Sequence, residues 1–147
     1  MYKRILVPVD GSGLSDRAID ESVHLAQQLG ATLVGFIAEP LPPIPTTIRA
    51  VELIEQETFD HEARTSAHGQ PVLVRFAQAA QAAGVPFEGH LDRVARVDRA
   101  IVAAAESHDC DLIVMATHGR GAFGEFLFGS QTKAVLAGTR LPLLVLH

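Results

Sequence analysis

The sequence predicts an α/β protein: one domain built on a doubly wound, mainly parallel sheet of five strands with helices on both faces. Three observations predict it. Short, unbroken apolar runs recur along the 147 residues, the pattern of strands buried on both faces of a parallel sheet. Amphipathic stretches of helical period separate these runs, and strands that alternate with helices imply right-handed crossovers. Finally, the run Leu112-Ile113-Val114-Met115 passes into a glycine-rich loop and then into a helix opened by Ser130. That order places a loop at the carboxyl edge of the sheet, where such folds bind ligands.

Taken in order, Ile5–Val9 is the first apolar run and the first strand. From Ser12 to Leu29, Leu14, Ala18, Leu25, Ala26 and Leu29 recur at helical spacing, Ile19 and Val23 widen the stripe, and Gly30 supplies the stop. Thr32–Ala38 reads as the second strand. The prolines of Glu39–Pro45 exclude regular structure after it. Residues from Ile48 to Ala83 are helical in composition, with a kink or break expected at Gly69-Gln70-Pro71. A third strand follows Gly84 at Pro86–Leu91, with thin apolar content. Ala100–Glu106 form the core of a helix, Leu112–Met115 the fourth strand, Ser130–Ala137 a helix closed by Gly138, and Leu141–Leu146 the last strand. There is no internal repeat or domain linker, so residues 1–147 are read as a single domain.

Composition narrows the function. The chain is 48 % hydrophobic and 20 % charged, an ordinary globular balance, and its formal net charge is −5. A nucleic-acid or anionic-membrane partner calls for a basic surface, so small molecules or proteins are expected instead. Cys110 is the single cysteine, which rules out an internal disulfide, and no stretch resembles a signal peptide or approaches the roughly 20 apolar residues of a membrane span. A cytoplasmic protein is expected.

The glycine-rich loop carries the chemistry. Glycines let backbone N–H groups turn inward with no Cβ in the way, and a helix N-terminus adds unpaired donors with partial positive charge, so the segment suits a phosphate. Gly119-Arg-Gly121-Ala-Phe-Gly124 is a literal G-x-G-x-x-G, but no acidic residue follows Glu125 to take a ribose, and no second mononucleotide half follows. Gly124-x4-Gly129-Ser130 approaches a P-loop, yet the essential Lys-[Ser/Thr] pair is absent. What remains is a loop between Gly119 and Gly129 closed by a serine at a helix start.

These residues, with Ile5-Leu6-Val7-Pro8-Val9-Asp10-Gly11-Ser12 at one end and Asp111–Arg120 with Gly129-Ser130 at the other, resemble the universal stress protein family over essentially the whole chain. The family's ATP-binding signature is a glycine, two residues, a glycine, nine residues and Gly-[Ser/Thr]. It is met here at Gly119, Gly129 and Ser130, with Ala116 in place of the first glycine. Ala95 stands where many members carry a glycine after the third strand. The resemblance implies an adenine-nucleotide α-hydrolase-like, Rossmann-like fold with Pro8, Ile37 and Met115 as the apolar walls around adenine and Asp10 on the ribose. Gly119, Arg120, Gly129, Ser130 and the backbone of Gln131 would meet the phosphates, and Val9 and Ala116 are counted with the nucleotide site. Plain alternatives stand beside these roles: an N-terminal helix cap for Asp10, core packing for Ile37 and Met115, a solvated charge for Arg120, and helix capping by Ser130.

The resemblance further implies ATP as ligand, with ADP or AMP as variants, Mg²⁺ held through the phosphates, and a homodimer through the Leu141–Leu146 edge strand. It implies action in the stress response through nucleotide-dependent interaction. No residue is placed to orient an attacking water and no second cation is aimed at a γ-phosphate, so no catalytic residue is assigned and at most slow hydrolysis is expected. A slow ATPase or other nucleotide-using enzyme, and a dimer that binds no nucleotide, are the rival classes. Among the seven histidines no pair has H-x3-H spacing or a cysteine partner suited to zinc, so no metal ligation by side chains is expected. His118 lies in the loop, facing an anion or water. Cys110 is read as an inert small hydrophobe, and Asp109 and Asp111 as solvent-facing residues at a strand start.

Overall fold

The computed structural model describes residues 1–11, 13–41, 69–117 and 129–147. The elements run β1 (Arg4–Pro8), α1 (Gly13–Leu29), β2 (Thr32–Pro40), α2 (residues 69–82), β3 (Phe87–Val94), α3 (Val97–Ser107), β4 (Leu112–Ala116), α4 (Ser130–Gly138) and β5 (Leu143–Leu146). The five strands form one sheet in the order β3-β2-β1-β4-β5, and every pairing is parallel. The expected α/β architecture is therefore present.

Residue parity sorts the sheet's two faces, because successive strand side chains point to opposite sides. Ile5, Val7, Leu33, Ile37, Leu112 and Val114 pack with Ala18, Ile19, Val23 and Ala26 of α1 and with Val72, Leu73, Phe76 and Ala80 of α2. Leu6, Val34, Phe36, Ile113 and Met115 pack with Ile101, Ala104 and Ala105 of α3 and Val135 of α4. Both faces are covered, which is why the central strands read as continuous apolar runs. At Gly35 the missing Cβ lets two aromatic rings onto the sheet: an added Cβ would lie 2.8 Å from Phe87 Cζ and 3.0 Å from Phe76 Cδ1, and those rings pack with centroids 4.7 Å apart.

Gly30 ends α1 as the sequence predicts. Its φ of +64° is the left-handed conformation that glycine adopts without penalty, and the Ala31 N–H reaches back to the Ala26 carbonyl at 2.9 Å.

Several boundaries differ from expectation. Glu39 and Pro40 belong to β2, not to an irregular proline-rich segment. The β1 pairing of β2 ends at Phe36, so beyond it β2 has only β3 as a ladder partner, and a strand with one free side tolerates the missing proline N–H. β3 runs on to Val94, longer than expected; as an edge strand it is half-buried, which explains its thin apolar content. α3 begins at Val97, and β5 at Leu143, later than the expected Leu141. Gly69, Gln70 and Pro71 are all helical at the start of α2, where proline is compatible with an early helical turn; the segment before them, on which the expected kink or break depends, lies outside the described residues. The expected helix over 48–68 and Pro42–Pro45 lie outside the described residues.

The acids at the start of β4 are not alike. Asp109 is exposed with φ of +52°, whereas the Asp111 carboxylate accepts the Lys3 N–H at 2.8 Å and the Arg4 N–H at 3.0 Å. Asp111 thus ties the start of β1 to the start of β4 and is not merely solvated.

Candidate functional site

The strand order reverses its winding between β1 and β4. From β1 the chain proceeds outward through β2 to β3, then crosses to β4 and β5 on the other side. Such a switch point leaves a crevice beyond the carboxyl ends of the two central strands. The hydrogen bonding opens it further: β1 and β4 are in register at Ile5↔Leu112 and Leu6↔Ile113, after which β1 stays with β2 and β4 with β5. Val9 N–H donates to the Phe36 carbonyl at 2.9 Å, and Thr117 N–H to the Leu146 carbonyl at 2.9 Å. The two strand ends lean apart.

A cavity of about 300 Å³ occupies this crevice. Pro8, Val9 and Asp10 from the end of β1, Met115, Ala116 and Thr117 from the end of β4, and Gly129, Ser130, Gln131 and Thr132 from the start of α4 all line it. Eight of the sequence-nominated residues thereby meet in one cavity although they come from three distant segments: Pro8, Val9, Asp10, Met115, Ala116, Gly129, Ser130 and Gln131. Gly119, Arg120 and His118 lie outside the described residues.

Ile37 does not line the cavity. It is 5 % exposed and packs on the opposite face of the sheet with the α1 and α2 cluster, so its placement around a ligand is corrected to core packing. Its neighbours Phe36 and Ala38 line the cavity instead. The physical reason is the two-residue period of a strand, by which a shift of one position changes face. Val97 and Ile101 of α3 complete the apolar wall, and Ser15 and Thr132 add hydroxyls; the sequence reading missed all four. The only advance signal for Val97 and Ile101 was their i, i+4 spacing at a helix start.

The polar end of the cavity is built on two local devices. The chain turns sharply at Gly11, with φ of +82°, directly after Asp10. Ser15, 5 % exposed, holds Asp10 from within the first turn of α1: its hydroxyl accepts the Asp10 N–H at 2.8 Å and donates to Asp10 Oδ1 at 2.6 Å. A carboxylate is an acceptor suited to hydroxyl donors.

The second device is the start of α4. Ser130 is the first helical residue, not the cap; the N-cap is Gly129, with φ of −53° and ψ of 150°, and no side chain among the described residues caps the helix. The expected capping by Ser130 is thus corrected. The first N–H groups of α4 retain their donor capacity and its partial positive charge at the cavity wall. An apolar slot with an oriented carboxylate at one side and helix N–H donors at another can take a flat ring, a polyol and an anion in sequence. Cys110 plays no part: burial pushes its thiol pKa up to about 11, so it stays protonated and unreactive near neutral pH.

Comparison with known proteins matches residues 1–147 to the universal stress protein family. A universal stress protein of Thermus aquaticus, from the QAH/OAS sulfhydrylase 3′ region, is 35 % identical over 147 residues, covering all of both chains. Among solved structures, a universal stress protein in complex with cAMP superposes with a TM-score of 0.71 at 24 % identity, covering 99 % of this chain and 97 % of that one. The universal stress protein of Archaeoglobus fulgidus in complex with dAMP gives a TM-score of 0.63 at 20 % identity, covering 99 % and 98 %.

Proposed function

The chain belongs to the universal stress protein family, and from that membership together with the crevice between β1 and β4 we propose that it binds an adenine nucleotide of the ATP class and acts in the stress response through nucleotide-dependent interaction. The observation that carries the reading is the convergence of Pro8, Asp10, Met115, Gly129 and Ser130 on one cavity. In this reading Pro8, Val9, Phe36, Ala38, Val97, Ile101 and Met115 sandwich the base, Asp10 accepts from the ribose hydroxyls, and the start of α4 receives phosphate. The complexes of the two relatives with cAMP and dAMP support an adenine nucleotide as the ligand.

Ala116 stands at the first glycine of the family's signature, and as alanine is the smallest replacement for glycine it is read as compatible with binding. Gly119 and Arg120 are proposed to complete the phosphate contacts. Among the described lining residues Asp10 is the one carboxylate, so Mg²⁺ would be held mainly by phosphate oxygens and water, as that ion favours. Nothing among the described lining residues supplies a base beside a γ-phosphate, and hydrolysis is proposed to be slow at most.

β5 is an edge strand with Leu144 38 % exposed, and we assign it to a homodimer contact, since an uncovered apolar edge invites pairing. No described helix is long and apolar enough to cross a membrane, and a cytoplasmic location is proposed. The test is to denature the purified protein, identify any released nucleotide by chromatography, and titrate ATP calorimetrically into the stripped protein and into Asp10→Ala. Released adenylate, or saturable ATP binding weakened in the variant, supports the reading. Indifference of the stripped protein to millimolar adenylate overturns it.

A further inference from the structure

At the far end of α3 from the cavity, three potential metal ligands meet. Glu88 and His90 lie two residues apart on β3 and therefore share a face of the sheet, the face that α3 covers; His108 directly follows α3. One ligand atom from each of the three lies within 4.8 Å of the others. From this convergence we propose that Glu88, His90 and His108 form a binding site for a divalent transition-metal ion of the zinc class.

The state of His90 points to a missing occupant. Its Nε2 is shielded from solvent yet has no hydrogen-bond partner, and a polar nitrogen so enclosed is normally satisfied. The nearest carboxylate oxygen, Glu88 Oε2, is 3.8 Å away, too far for a hydrogen bond. Two ligands each about 2.0–2.1 Å from a tetrahedral zinc lie roughly 3.3 Å apart, so a small contraction of this gap would admit the ion.

Arg4 supports the arrangement from outside. Its Nη1 and Nη2 donate to the two Glu88 oxygens at 3.0 and 2.9 Å, and its Nε donates to the His108 carbonyl at 2.8 Å. One side chain thus fixes the carboxylate and the chain segment of His108 together, as outer partners of metal ligands do. A carboxylate has lone pairs beyond the two that Arg4 occupies, while the guanidinium charge weakens the attraction for a cation. The site is accordingly one of moderate affinity.

The imidazoles of His90 and His108 are stacked, with centroids 3.9 Å apart and planes 20° from parallel. A metal ion lies in the plane of each ligating ring, so loading requires one ring to turn about χ2, a broad torsion in histidine. Two imidazoles and one carboxylate suit zinc and its neighbours over the all-oxygen preferences of magnesium and calcium, and three protein ligands leave a position for water.

The test is calorimetric titration of Zn²⁺ into tag-free, full-length protein, with Co²⁺ substitution read by its visible d–d bands. One-to-one binding is expected, with His90→Ala and His108→Ala each weakening it at least tenfold and abolishing the Co²⁺ bands. His24→Ala, on the exposed side of α1, leaves both unchanged. Glu88→Gln would also break the Arg4 pair and so change two things at once, so the two histidine variants, checked by circular dichroism, decide the question. Histidine imidazole NMR resonances of His90 and His108 should shift on adding zinc while that of His24 stays fixed. No uptake at stoichiometric zinc, or equal affinity in the wild type and both histidine variants, overturns the proposal.

Discussion

Replacing Gly129 by valine separates the fold from the proposed ligand site. A Cβ built at Gly129 meets no heavy atom of the described residues within 4 Å, and the backbone there, φ of −53° and ψ of 150°, is open to any L-residue. The unliganded protein should therefore change in stability by no more than about 0.5 kcal/mol, the range of substitutions that disturb no packing, with a gain possible from the lost flexibility of the unfolded chain. For a chain of this length that is about 1–2 °C in Tm. Ligand-induced stabilisation behaves differently. At a hundredfold excess over Kd, a nucleotide that binds the native state contributes about 2.7 kcal/mol, or roughly 5–11 °C. The isopropyl group stands beside the first N–H groups of α4 at the cavity wall, so it should remove most of that shift. Differential scanning fluorimetry of both proteins with and without ATP measures the two quantities together. A variant that keeps the full shift would refute the placement of phosphate at α4, and a variant that unfolds without ligand would refute the reasoning from open space.

Gly35→Ala should cost about 1–3 kcal/mol, since its Cβ would press on the Phe76 and Phe87 rings, neither of which is a flexible chain end; a lower urea midpoint at unchanged slope is the expected signature. Hydrogen bonding to Arg4 holds the Glu88 carboxyl below its ordinary value, so its stabilisation is present above the unfolded pKa near 4.3 and is lost as pH falls through the lower folded value. With both side chains partly solvated, Glu88→Gln should cost at most about 1 kcal/mol at neutral pH and should flatten the decline in stability below about pH 4, as followed by urea unfolding across pH.

The site was legible in the sequence where its residues sit at the ends of continuous apolar runs. Pro8, Val9 and Asp10 close one such run and Met115 and Ala116 another, and in a parallel sheet both ends emerge at the same edge. Ile37 was misplaced for a related reason. β2 is buried on both faces, so its apolar run carries no alternation to tell which residues face α3, and only the packed helices distinguish Phe36 and Ala38 from Ile37. Ser15 escaped notice because its role is a contact with Asp10 across a turn, with no motif attached. The same holds for Glu88, His90 and His108. Their spacing matches no metal motif, and the 17 positions between the two histidines close only when α3 returns the chain to the edge of β3.

The order of apolar runs and amphipathic stretches, with glycine at the turns, was enough by itself to specify an alternating α/β chain and the segments from which a phosphate-binding edge could be made. Periodicity and turn chemistry are local, and they survive in the sequence. Tertiary structure alone decided the strand order, the parting of β1 from β4 that opens the cavity, and the face on which each β2 residue lies. Those depend on which helices cover which side, a matter of long-range packing that no local pattern encodes.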